Sequence, residues 1–386
     1  MKVYCVNFQG IAEGQRTNAL VQGMFNMFRR LDPEKYIFLN SSVDKNYGPN
    51  IHGLSNKQLV VYNLFSKITA RLNVPYYIRR TIQEKIIDYY LCKVLKKEKK
   101  PFILISTMYA VRCTRYARQR GCKVVFWAGN LNDNLYYDTV KNEQKRLGLK
   151  YTDVYSSDYR INVYRKMFEN IDYVWCLNRI IAWSFEGKNT ILDPRERKRE
   201  KILYQKKYNE DVPDKIKIGY FGHTTLLKGV HQLPEAASIC KHKNDIEFII
   251  AGNVDEYVKS IINKYNIKVT YLGPVAESKK WDVIQSFDYM IIPSLYDAGP
   301  MTISEAFWCD VPAIISSGCG GVDRVKDDPK SIIFETMNIQ DLADKIDYAY
   351  EHRYEYLKAS DLNKVPVEDL NAPKDYNFFT DIIEKL

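Results

Sequence analysis

Nowhere in the 386 residues do about 18 apolar residues run without interruption, so no transmembrane helix is expected. The opening "MKVYCVNF" has no long apolar run and no small-residue cleavage site, and it reads as a first β-strand rather than a signal peptide. The eight cysteines are scattered, with no C-x-x-C pair and no histidine at ligand spacing, so no metal site is expected. Cys92, Cys176 and Cys240 lie in apolar or periodic segments, which suits reduced, packed thiols in a cytoplasmic chain. There is no internal repeat and no low-complexity region.

What is present is ordinary globular composition, 46% apolar and 27% charged, in a chain long enough for two cores. The net charge of +10 is unevenly spread. Residues 1–185 hold 30 Lys/Arg against 14 Asp/Glu, or +16, whereas 186–386 hold 27 against 33, or −6. The two halves therefore face different partners. Residues 67–100 hold ten Lys/Arg and three Asp/Glu, interleaved with Tyr76, Tyr77, Tyr89, Tyr90 and aliphatics. One reading is an interfacial helix attracted to anionic lipid; the other is a solvated face above a core stripe. Nucleic acid is not expected, because no reader motif accompanies the charge.

In the second half short apolar runs alternate with helices of about ten residues. The strands are "KIKIGYFG" (215–222), "IEFIIAGN" (246–253), "KVTYLG", "DYMIIPS" and "PAIIS" (312–316), with a helix expected over 300–309. The first half alternates more loosely, with strands at "MKVYCVNF", "FILIST" (102–107), "KVVFW" (123–127) and "IDYVWCLN" (171–178), and an amphipathic helix presenting Leu20, Met24, Met27 and Phe28. This pattern predicts an α/β protein with two Rossmann-like, doubly wound parallel domains facing across a cleft. The expected boundaries are 1–185, a charged linker 186–214 with a short helix, a second domain 215–372, and a C-terminal helix 373–386. Ligands in such sheets sit beyond the carboxyl ends of the strands, so Gly10, Gly222, Gly252, Gly273 and Gly299 are expected to point into one cleft.

The stretch "PSLYDAGPMTISEAF" (293–307) carries two carboxylates eight residues apart, Asp297 and Glu305. Pro300 suits the first position of a helix, whose free N–H groups attract anionic oxygens. Glu305 could accept hydrogen bonds from a vicinal diol and Asp297 from a second polyol. The alternative is that Asp297 caps the helix and Glu305 is a favourable early-turn acid.

Together with "YFGHTTLLKGV", "FIIAGN", "VTYLGPV" and "AFWCDVPAIISSGCGG", this stretch resembles the E-x7-E segment of retaining family 4 glycosyltransferases of GT-B fold, over roughly residues 216–321. The first half is similar only in its alternation and its glycine-bearing first loop. The resemblance implies transfer of a hexose from a nucleotide-diphosphate sugar to a glycan or lipid-linked acceptor, with retention and without metal or other cofactor, UDP-sugar being favoured over GDP-sugar. It implies catalytic roles for Asp297, Lys228 and His223. It implies a donor site of Gly10, Gly222, Leu272, Pro274, Val275, Ala298, Gly299, Pro300, Met301, Thr302 and Glu305, with Asn130 and Asp133 on the acceptor side. No D-x-D segment stands in a suitable loop. If the reaction inverted instead, a first-half carboxylate such as Asp133 or Asp158 would be needed as base. His223 departs from the family's usual arginine, and Asp297 is one methylene shorter than the usual glutamate. The expected location is cytoplasmic, peripheral on the inner face of the membrane. The competing readings are a nucleotide-sugar epimerase of the same architecture and a non-catalytic nucleotide- or membrane-binding partner subunit.

Overall fold

The computed structural model describes residues 1–10, 19–43, 46–194, 202–208, 214–326, 328–360 and 377–386. The glycine-bearing first loop beyond Gly10, the Leu20 side chain, residues 195–201 and 209–213 of the charged linker and the start of the C-terminal segment lie outside the described residues. The chain divides into two compact units. One comprises Met1–Lys141, Lys150–Pro194 and Lys374–Leu386; the other comprises Asn142–Leu149 and Arg195–Pro373.

The first unit is built on seven parallel strands: β1 (Lys2–Val6), β2 (Tyr36–Leu39), β3 (Ile51–His52), β4 (Phe102–Ser106), β5 (Lys123–Ala128), β6 (Tyr173–Cys176) and β7 (Asn189–Leu192). Their spatial order is β3-β2-β1-β4-β5-β6-β7. Strands buried on both faces read as continuous apolar runs, and β4, "FILIS", is buried throughout. On one face Trp127 of β5 and Trp175 of β6 are partners in register and stack at 4.8 Å. Phe379, from the C-terminal helix Asn377–Glu384, covers both indoles at 5.8 and 5.5 Å. Full burial of that phenylalanine is worth on the order of 2–3 kcal/mol, which holds the terminal helix to the first sheet.

The second unit has six parallel strands: β8 (Ile216–Phe221), β9 (Ile246–Ala251), β10 (Val269–Gly273), β11 (Tyr289–Ile292), β12 (Ala313–Ser316) and β13 (Ile332–Phe334). Their order is β10-β9-β8-β11-β12-β13. Alternate residues feed two cores, with Ile218, Tyr220 and Ile291 on one face and Met290, Ile292 and Ile315 on the other.

Four strands lay outside the sequence reading: β2, β3, β7 and β13. Each is two to four residues long, too short to show a period. The stretch expected as a linker carries structure at both ends. Asn189–Leu192 is the edge strand of the first sheet. Beyond it, Leu203 and Tyr204 donate backbone hydrogen bonds to the Trp308 carbonyl of the second unit.

The basic stretch 67–100 is two helices rather than one. Asn56–Arg71 ends at Leu72, and Tyr76–Leu95 begins after Pro75. The second buries Thr81, Glu84, Ile87, Asp88, Leu91, Cys92 and Leu95, so its apolar positions are core rather than a lipid-facing stripe.

In both sheets the strand order reverses once, between β1 and β4 and between β8 and β11. At such a switch point the loops leaving two adjacent strands run in opposite directions and open a crevice at the carboxyl edge.

Candidate functional site at the switch point of the second sheet

The crevice between β8 and β11 is framed by the loops 222–229 and 293–300. Leu295 N donates to the Leu227 carbonyl at 2.8 Å, so the two loops are bonded side by side. Two glycines make this approach possible. Gly229 has φ +66, and a Cβ there would lie 1.9 Å from the Pro293 carbonyl oxygen. Gly252, at the exit of β9, has φ +139, and a Cβ would lie 2.0 Å from the Gly222 carbonyl oxygen. Only a residue without a side chain fits either position.

Lys228 stands on the short helical turn Leu226–Lys228 that Gly229 closes. Its Nζ donates to Asp297 Oδ2 at 2.5 Å. The other Asp297 oxygen accepts from Gly299 N at 3.1 Å. The Asp297 backbone is fixed as well, its N donating to the Gly318 carbonyl and its own carbonyl accepting from Gly320 N. Asp297 is therefore a loop carboxylate held from four directions.

It does not cap the following helix. That helix runs Met301–Trp308, Pro300 is its N-cap instead of its first residue, and no side chain caps it. The first-turn N–H groups, including those of Met301 and Thr302, are thus left for another acceptor. Met301 is exposed, Thr302 half-buried, and Ala298 and Pro300 buried beside Gly299, which is open.

Glu305 is buried, one turn into the helix, and is salt-bridged to Lys280 Nζ at 2.5 Å. Lys280, which opens the helix Lys280–Gln285, is a charged group that the sequence reading missed. A carboxylate buried among Ile303, Ala306 and Phe307 needs a countercharge, and "ESKK" (277–280) was the available signal. Leu272 is exposed at the end of β10, Pro274 is exposed, and Val275 is half-buried against the core face that includes Ile292 and Phe307.

His223 is paired with Asp255, Nε2 to Oδ1 at 2.9 Å, rather than with the loop it leaves. Behind it the loop is held by Asp255 N donating to Thr224 Oγ1 and by Tyr257 OH donating to the Thr224 carbonyl. The buried His231 follows directly, hydrogen-bonded to Glu143 at 2.9 Å. Burial works against the ionised Glu143 carboxylate, but His231 and Arg146 outweigh it and hold its pKa at about 2.

The remaining site residues lie in the first unit. Gly10 follows β1, and a Cβ there would meet Ser42 Oγ at 2.2 Å. Asn130 is exposed in the loop after β5. Asp133, which opens the helix Asp133–Leu147, lies 3.8 Å from Arg160. Arg160 also donates to Tyr109 OH and sits 3.9 Å from Glu84, which accepts from Arg80 at 2.8 Å. Burial raises the Asp133 carboxyl to about 6, Arg160 opposing and Glu84 adding to the shift. Asp158, considered as a base, is exposed and hydrogen-bonds Tyr137 and Lys141.

Residues 202–364, less than half of the chain, match the family model described as Glycosyl transferases group 1. The chain is 28% identical over 126 residues to an N,N'-diacetylbacillosaminyl-diphospho-undecaprenol alpha-1,3-N-acetylgalactosaminyltransferase of Campylobacter jejuni, which covers 32% of each. It spans 32% to 39% of the length of the curated relatives it matches. Among solved structures it superposes along its full length on the lipopolysaccharide outer core galactosyltransferase WaaB, with TM-score 0.58 and 14% identity. It also superposes along its full length on Anabaena HepE in complex with UDP and glucose, with TM-score 0.53 and 12% identity. With two all-parallel α/β sheets, the fold is GT-B.

Proposed function

We propose that the chain is a glycosyltransferase that moves a hexose from a nucleotide-diphosphate sugar to a glycan or lipid-linked acceptor, with retention and without a metal ion. The observation that carries this is the Lys228–Asp297 pair at the switch point, beside the uncapped first turn of Met301–Trp308. The lysine and the turn place positive charge where a departing diphosphate accumulates negative charge. Asp297 and the Gly299 amide offer an acceptor and a donor to the sugar hydroxyls. Glu305 offers its carboxylate to the ribose diol, with Lys280 orienting it.

In the transfer, the bond from the anomeric carbon to the diphosphate oxygen breaks and a bond to the acceptor oxygen forms on the same face. The acceptor proton passes to the departing phosphate oxygen, so no protein base is required. UDP is the favoured nucleotide, by the resemblance of the donor loops and by the UDP complex of HepE.

The test is a thermal-shift and hydrolysis screen against UDP, GDP and their glucose, N-acetylglucosamine, galactose and mannose conjugates. One nucleotide-sugar should stabilise the protein by about 2.7 kcal/mol at 100 times its Kd, with slow sugar release. Silence across the panel overturns the reading. Inversion of the anomeric centre, seen by NMR of the product, overturns retention and returns Asp133 as the base. Loss of transfer on adding a chelator overturns the metal-free mechanism.

A further inference from the structure

The helix Asn56–Arg71 carries apolar side chains on both faces. Half-buried Leu59, Tyr62 and Phe65 face inward together with hydroxyl groups. Thr69, its one buried residue, donates to the Phe65 carbonyl, and Ser66 donates to the Tyr62 carbonyl while accepting from Gln83 of the next helix. Its outward face carries Val60, Leu64 and Ile68 at successive steps of four, with Val61 beside them and Leu72 at the exit. These are among the most exposed aliphatic side chains of the protein: Val60 64%, Leu64 56%, Leu72 70%. Tyr76, one turn beyond, is also exposed.

Charge identifies what covers this face. Between Asp44 and Glu84 the sequence has no carboxylate at all, while Lys57, Lys67 and Arg71 emerge on the helix itself and Arg79 follows. Lys57, Lys67 and Arg71 are all exposed, and at 100° per residue they fall within one third of a turn of Leu64. A protein partner would have to supply an apolar groove ringed with acids. A bilayer with anionic headgroups supplies the same pairing everywhere on its surface, with acyl chains for the stripe and phosphates for its flanks. Among the described residues no helix is long and apolar enough to cross a membrane, so contact of this kind would be made by a helix lying in the interface.

We propose that Asn56–Arg71, with Leu72 and Tyr76, is an interfacial helix that docks the first unit on an anionic lipid surface, its apolar stripe seated below the headgroups. This centres the membrane contact on Asn56–Arg71, which overlaps the stretch 67–100 at its start, rather than on the helix Tyr76–Leu95. It stands apart from the donor site, so its failure would leave the transferase reading intact.

The test is flotation of the full chain with phosphatidylglycerol-containing vesicles against pure phosphatidylcholine vesicles. The protein should float with the first, weakly or not at all with the second, and binding should fall as salt is raised. Leu64→Glu with Ile68→Glu places two charges on a face already in water, so the fold and nucleotide-sugar hydrolysis should be unchanged. Its partition onto anionic vesicles should fall by about tenfold or more. Lys57→Glu with Lys67→Glu should weaken binding and flatten its salt dependence. Failure of the wild type to float, or equal flotation of the wild type and the Leu64/Ile68 variant, overturns the proposal. So does a concentration-dependent dimer that the Leu64/Ile68 variant abolishes in a wild type that does not bind vesicles.

Discussion

The two sheets have the same parallel topology and the same single reversal of strand order, yet their carboxyl edges are built differently. At the second, charges stand in pairs on short loops, Lys228 with Asp297 and Lys280 with Glu305, each loop bent by glycine. At the first, Arg80, Glu84, Arg160 and Asp133 form a chain of charges beneath Tyr109, and Arg80 also lies 3.8 Å over the Phe8 ring. Phe8 follows β1, Tyr109 follows β4 and Asp133 follows β5, so this chain of charges lies along its own switch point. Both edges pair their charges, but the second does so at 2.5 Å, whereas at the first Arg160 stands 3.8 and 3.9 Å from Asp133 and Glu84. Among the described residues, Arg160 Nη1 and Glu84 Oε2 are buried without a hydrogen bond.

The largest effect should come from the second edge. Asp297→Ala removes both the partner of Lys228 and the carboxylate proposed to face the sugar. Transfer should fall by about a thousandfold, in the range seen when a preorganised charge-stabilising group is removed, measured as kcat on the responding nucleotide-sugar. Nucleotide diphosphate should still stabilise the fold, because Glu305 and Lys280 are untouched. Unchanged turnover would remove Asp297 from the site.

The first edge should answer to pH instead. Asp133 has a folded-state pKa of about 6 against 3.8 for the free side chain. The fold therefore favours the protonated form. This stabilisation is fully present below about pH 4 and is lost as pH rises through 6. The shift corresponds to roughly 3 kcal/mol across that window. In Asp133→Asn the urea-unfolding free energy should lose this descent between pH 4 and 7. Parallel profiles for wild type and variant would show that Asp133 does not titrate as its burial demands.

A smaller change separates the two ends of the Glu305 pair. Glu305→Ala leaves Lys280 without its acceptor and removes the diol ligand, and nucleotide affinity should fall by about tenfold to a hundredfold. Lys280→Ala leaves the ligand but frees its rotamers, and should cost about threefold to tenfold. Isothermal titration with nucleotide diphosphate measures both. Equal losses would mean that Glu305 acts only as the anchor of Lys280.

The same contrast explains what could be read from the sequence. The second edge is local: Asp297, Gly299 and Glu305 fall within nine residues, and Lys228 lies six after Gly222, so spacing alone places them. Long apolar runs such as "IEFIIA" likewise declare buried parallel strands. The first edge draws on residues 80, 84, 109, 133 and 160, which only the fold brings together, so no motif records them. The basic stretch 67–100 was read as one helix for a related reason. Composition counts lysines but not the direction they face, and the helix with the exposed apolar stripe is the preceding one, which is less basic. Asp255, as partner of His223, was hidden because it belongs to another strand's exit.

The smallest expected effect concerns His223, the point at which the second edge departs from the pattern it resembles. Its imidazole is more than half exposed and its partner Asp255 is itself accessible, so the pair is screened by water. His223→Ala should change unfolding stability by less than about 1 kcal/mol. Its effect on transfer should nonetheless be about tenfold, because a hydrogen-bond donor lost from a developing diphosphate charge is felt mainly in the transition state. His223→Arg should restore or exceed the wild-type rate, since guanidinium is permanently charged and matches phosphate geometry in a way imidazole does not. Steady-state kcat for the three proteins decides the matter. If His223→Ala turns over like wild type while Lys228→Ala is inactive, the diphosphate charge rests on Lys228 and the helix amides alone, and His223 serves only to hold Asp255.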